Sequence, residues 1–96
     1  ENLEHRARAY FDLGQIYAGS GDHRQAINAF RKVDEIYPDD PTTLLWLAHS
    51  LQVDGQQQAA IETTQRALRI DPEDTQAEEL LKQLKNPITD TGNPQP

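Results

Sequence analysis

The chain matches itself when shifted by 34 residues, and this internal period restricts the possible folds more than any other feature of the sequence. Laying residues 41–74 over 7–40 pairs Leu13 with Leu47, Gly21 with Gly55, Ala26 with Ala60 and Ile27 with Ile61. Ile36, Pro38 and Asp40 pair in the same way with Ile70, Pro72 and Asp74. Seven identities in 34 pairs is a modest score, but small residues, a turn glycine and a terminal proline return at fixed offsets. A unit of this length is one supersecondary element that buries its apolar face only by stacking on its neighbours.

Within each copy the apolar spacing is helical. Tyr10, Leu13, Gly14 and Tyr17 define one face of a first helix, and Gly14 lets a second helix come close. Ser20-Gly21-Asp22 breaks that helix, because glycine tolerates positive φ and Asp22 is a good N-cap. Gln25, three residues on, completes a capping-box pattern. Ala26, Ile27, Phe30 and Val33 form the stripe of the returning helix, which Pro38 prevents from continuing. In the second copy Asp40 and Pro41 start a helix, Ala48 takes the place of Gly14, Asp54-Gly55 turns the chain, and Asp71-Pro72 stops it. A fifth helix follows Asp74 with the stripe Ala77, Leu80, Leu81 and Leu84. Lys82 stands where the repeats carry Gly14 and Ala48, so this helix is expected to close the stack. The predicted helices are 3–18, 23–36, 41–53, 57–70 and 75–85. Residues 86–96 hold three prolines and read as a disordered tail.

The fragment Tyr10-x-x-Leu13-Gly14-x-x-Tyr17, followed by Ala26-x-x-x-Phe30 and Pro38, resembles the signature of the tetratricopeptide repeat family. The second copy reads Leu44-x-x-Leu47-Ala48-x-x-Leu51, then Ala60-x-x-x-Thr64 and Pro72. Thr64 departs most, since the family usually has an aromatic residue there. The resemblance covers 7–74. It implies an all-α fold, a right-handed α-α superhelix of two helix-turn-helix units (7–40 and 41–74) plus a C-terminal capping helix (75–85), together a domain over 1–85.

The resemblance also implies a protein-interaction module whose concave groove, lined by the first helix of each pair, takes a peptide or partner helix. Family geometry puts Arg8, Phe11 and Gln15 in that groove from the first repeat. The second supplies Thr42, Leu45, His49 and Gln52, and the capping helix supplies Gln76, Glu79 and Gln83. Relatives that hold the acidic C-terminal tails of chaperones grip carboxylates with lysine, arginine and asparagine. Phe11, Gln15, His49, Glu79 and Gln83 occupy the matching places here, and Glu79 repels a carboxylate, so that class of ligand is rejected. Phe11 and Leu45 are equally consistent with packing between repeats, and Trp46, one place off the main stripe, is either a half-buried packing residue, the preferred reading, or an interface anchor.

Charge and composition narrow the remaining functions. Sixteen acidic against nine basic residues give a formal charge of −7, which disfavours nucleic acid and anionic membrane surfaces as partners. No apolar run reaches the length of a membrane span. Only 35% of residues are apolar, so the core is expected to be narrow and placed by pattern. There is no cysteine to act as nucleophile or metal ligand. His5, His23 and His49 fall on different helices, none at the i, i+4 spacing of a helical zinc site, and there is no glycine-rich phosphate loop. The acidic cluster Asp34, Glu35, Asp39 and Asp40 lacks the EF-hand spacing and is assigned to capping and solvation. No cofactor, metal or catalytic residue is therefore expected, and the segment is not read as an enzyme. Two alternatives stay open. The chain, beginning at Glu1, is taken as a piece of a longer protein. In that protein it closes a longer solenoid or self-associates, offering Leu3, Ala7, Tyr10 or Phe11 to an upstream repeat, or it is the accessory domain of an enzyme encoded elsewhere in the parent chain.

Overall fold

The computed structural model describes residues 2–86, so the proposed disordered tail lies, apart from Asn86, outside the described residues. Five α-helices run α1 Leu3–Gly19, α2 His23–Ile36, α3 Pro41–Val53, α4 Gln57–Ile70 and α5 Thr75–Lys85, with no strand among the described residues. The all-α arrangement of two helical hairpins and a closing helix is the predicted one, and α1 runs one residue further than expected.

The helix ends follow from capping chemistry. Asn2, Asp22, Asp40 and Asp74 each accept a backbone N–H of the first turn with a side-chain oxygen. Asp40 also accepts the Thr43 hydroxyl at 2.8 Å. The two hairpin turns share three backbone bonds, from Ser20, Gly21 and Asp22 in one and from Asp54, Gly55 and Gln56 in the other. Asp22 N–H donates to the Tyr17 carbonyl at 2.9 Å, and 34 residues later Gln56 N–H donates to Leu51 at the same distance. Gly21 and Gly55 sit at φ 87° and 86°, the left-handed conformation this helix-ending motif requires. One arm of the expected capping box is absent: the Gln25 side chain accepts from Asn28, and the Asp22 N–H it was to receive is already spent on Tyr17.

α3 is the central element. Its sequence carries no lysine, arginine or carboxylate, and Thr43, Leu44, Leu47, Ala48, Ser50 and Leu51 are all buried. It packs against α2 on one side and α4 on the other, while α5 packs on α4. Leu47 and Leu51 join Ala26, Ile27, Phe30, Ala60 and Leu84 in the main core cluster, and Leu44 joins Ala67 and Ala77 in a second. Phe30, fully buried, lies against Gly14: a methyl placed there would meet three of its ring carbons at 2.5, 2.7 and 2.8 Å.

Thr64, the departure from the family pattern, occupies the Phe30 position of the second repeat. It is fully buried, and its hydroxyl donates to the Ala60 carbonyl one turn back at 2.8 Å. Ala48 stands where Gly14 stood. The larger residue on one helix is thus matched by the smaller on the other.

Leu13 corrects the expected inward face of α1. It is 41% exposed, whereas Leu47, its equivalent, is 3% exposed. The physical reason is cover: α2 lies over the Leu47 face of α3, and no described helix lies over the Leu13 face of α1.

Candidate functional site

The concave candidates come from α1, α3 and α5, and their geometry is set by how the helices diverge. Between α1 and α3 the space is filled by aromatic rings. Phe11 meets Phe30 edge-on at 5.8 Å and Trp46 edge-on at 6.3 Å, and Trp46 lies 5.9 Å from Phe30. Between α3 and α5 no such plug exists, because α5 rests on α4. An open depression of about 700 Å³ forms there, lined by Leu45, Trp46, His49, Thr75, Gln76, Glu79, Leu80 and Gln83. Leu45, Trp46 and Leu80 are half-buried and supply an apolar floor, and the exposed amides and hydroxyl of Gln76, Gln83 and Thr75 edge it.

Leu45, His49, Gln76, Glu79 and Gln83 therefore lie together. Arg8, Phe11 and Thr42 line a smaller depression of about 250 Å³ with Ala7, Val33, Asp40 and Thr43. Arg8 is engaged by its own helix, its Nε 3.2 Å from Asp12. Thr42 also lines a third, about 140 Å³, which adjoins the main depression through Leu45, Trp46 and Gln76. Gln15 and Gln52 are half-buried and line none of these three. Phe11 both packs and lines a surface depression, and so does Trp46, for which packing was the preferred of two readings. Its position one residue after Leu45 and three before His49 was the available signal.

Sequence reasoning missed a second constellation, on the outer helices. Arg66 of α4 donates from Nη2 to both Asp34 oxygens, at 3.1 and 3.0 Å, and to Asp39 at 2.7 Å. The Asp39 N–H in turn donates to Asp34 at 2.9 Å, and Asp39 holds a left-handed φ of 65°. Burial works against the Arg66 charge, but its hydrogen bonds to Asp39 and Asp34 and the attraction of both carboxylates outweigh it and raise its pKa. Two members of the acidic cluster thus clasp one hairpin to the next, and only Asp40 is a cap.

Ser50 Oγ lies 3.4 Å from His23 Nδ1, and Ser50 is fully buried. Among the described residues no three histidine, aspartate or glutamate side chains gather as a metal site, and no helix is long and apolar enough to cross a membrane.

The bare face of α1 bears on the alternative of a longer stack. Ala7 is buried, and Phe11, half-buried, packs on Phe30 and Trp46. Leu3, Leu13 and Ile16 are the exposed large apolar residues of α1, at 52%, 41% and 65%.

A family model for the tetratricopeptide repeat matches residues 17–84. The chain belongs to the tetratricopeptide repeat family. Tetratricopeptide repeats are generally protein-interaction modules and non-enzymatic scaffolds. A curated relative, the Protein CTR9 homolog of Arabidopsis thaliana, is 40% identical over 68 residues, which make up 71% of this chain and 6% of that protein. The chain thus spans a small fraction of the length of the relative it matches.

Proposed function

We propose that this tetratricopeptide repeat segment is a non-catalytic module that binds a peptide or partner helix along its concave side, centred on the depression between α3 and α5. The observation that carries the proposal is the combination found there: a half-buried floor of Leu45, Trp46 and Leu80, edged by the exposed amides of Gln76 and Gln83. Such a surface desolvates an apolar anchor at its centre and fixes orientation with hydrogen bonds at its rim. The site holds no lysine or arginine to grip a terminal carboxylate, so a chaperone-type acidic tail is not its ligand. Peptides selected from a random library on the immobilised chain test this. Their addition to isotope-labelled protein is expected to shift the amides of Leu45, Trp46, His49, Gln76, Glu79 and Gln83. Shifts confined to α2 and α4 would refute it.

A second reading draws on the uncovered face of α1. Leu13 and Ile16 correspond to Leu47 and Ser50, which are 3% and 0% exposed under α2. The face therefore suits another helix patterned like α2, from a further repeat in the parent chain or from a second copy. Sedimentation of the chain separates these: a dimer lost on Leu13→Glu supports self-association, and a monomer at high concentration removes it.

A further inference from the structure

We infer, on the basis of the groove proposed above, that its occupant is a cationic amphipathic peptide: a bulky apolar side chain on Trp46, Leu45 and Leu80, with lysine or arginine beside it facing Glu79. The inference rests on charge. The eight residues lining the main depression and the three that the adjoining one adds, Pro41, Thr42 and Asp74, include two carboxylates and no lysine or arginine. α3 contributes no charged residue apart from the titratable His49.

Glu79 is the decisive group. It lies in mid-α5, is exposed, and has no ion pair or hydrogen bond with any described residue. Asp74 is partly satisfied, since one oxygen accepts from Gln76 and Ala77 N–H at 3.0 and 3.2 Å, yet its charge stays on the rim. An apolar ligand flanked by carboxylates would bring like charges together as it buried its anchor. One flanked by cations supplies the missing partner for Glu79, and the indole face of Trp46 offers a cation a second attraction. The formal charge of −7 steers such a ligand toward the surface before contact.

Trp46 is the only tryptophan in the chain, so its emission reports on the site directly. The probes are synthetic peptides of about twelve residues sharing a leucine and a phenylalanine one helical turn apart. They are flanked by lysine, by glutamine or by glutamate, and a fourth keeps the lysines but replaces both apolar residues with alanine. The lysine-flanked peptide is expected to bind about tenfold or more tighter than the glutamate-flanked one in dilute buffer. That ratio should shrink between about 0.1 M and about 1 M salt, as the screening length falls from about 10 Å to about 3 Å. Glu79→Lys, at an exposed helical position, should abolish or reverse the preference, with Glu79→Gln intermediate and helicity checked by circular dichroism.

Equal binding of the three apolar peptides would overturn the cationic preference while leaving the groove in place. If no peptide changes the Trp46 signal, both proposals fail. Equally tight binding of the alanine peptide would also overturn the inference, because attraction to net charge alone would then explain the result.

Discussion

Gly14→Ala is a substitution that helix propensity alone marks as favourable and that this structure marks as harmful. Replacing a helix-interior glycine by alanine gains about 1 kcal/mol in propensity. Against this, the new methyl would sit 2.5–2.8 Å from three ring carbons of Phe30. The ring is fully buried and packed against Phe11 and Trp46, so moving it aside disturbs both neighbours. Overpacking of this kind costs about 1–3 kcal/mol, and a backbone-attached methyl against a fixed ring belongs at the upper end. The expected net loss is about 1–2 kcal/mol, or a midpoint lower by roughly 5–15 °C in a domain of this size.

The second repeat supplies the control, since it already pairs Ala48 with Thr64. In a Phe30→Thr background the clash is gone, and adding Gly14→Ala should stabilise by up to about 1 kcal/mol. Urea unfolding followed by circular dichroism reads both values, with sucrose added equally to all samples if Phe30→Thr is marginal. The sign of the Gly14→Ala effect must invert between the two backgrounds. The same sign in both would refute the claim that Gly14 exists to admit Phe30.

Arg66→Ala removes the clasp on Asp34 and Asp39, and because all three groups are partly exposed the expected loss is about 1 kcal/mol, smaller in high salt. A raised arginine pKa means that this contribution is present below the unfolded value and disappears only in strong alkali, so thermal melts should show the same Arg66→Ala deficit at neutral and mildly alkaline pH. A deficit that vanishes by mildly alkaline pH would contradict the assignment. Leu47→Ala should cost about 2–5 kcal/mol, whereas Leu13→Ala at the equivalent but exposed position should change stability by no more than about 0.5 kcal/mol. Comparable losses in urea unfolding of the monomeric chain would show that the α1 face is covered after all.

The helices were legible because their ends are written locally. Asp22, Asp40 and Asp74 cap, Gly21 and Gly55 take left-handed turns, and each of these signals acts within a few residues. Burial was less legible. Leu13 and Leu47 are identical in type and place in the repeat, and only the presence of α2 over one of them distinguishes their environments. The Arg66 clasp was invisible for a related reason: its partners lie 32 and 27 residues away, with no motif linking them. In the groove, Leu45, His49, Gln76, Glu79 and Gln83 come together because α3 and α5 part. Gln15 and Gln52 stay out of the depression, whose position depends on where Phe11 and Trp46 close the gap between α1 and α3, which is a property of packing.

The order of helix contacts carries a kinetic consequence. The strong contacts run α1 to α2, α2 to α3, α3 to α4 and α4 to α5, each between neighbours in the chain. Such a topology has low contact order, folds without closing long loops, and lets α5 peel away while the remainder stays native. An occupant of the depression touches α3 and α5 together and so adds to the few contacts between helices that are not neighbours in the chain. Occupancy would then turn the fraying of one end into part of a single cooperative transition, and hydrogen exchange in α5 would slow toward the rate of the core.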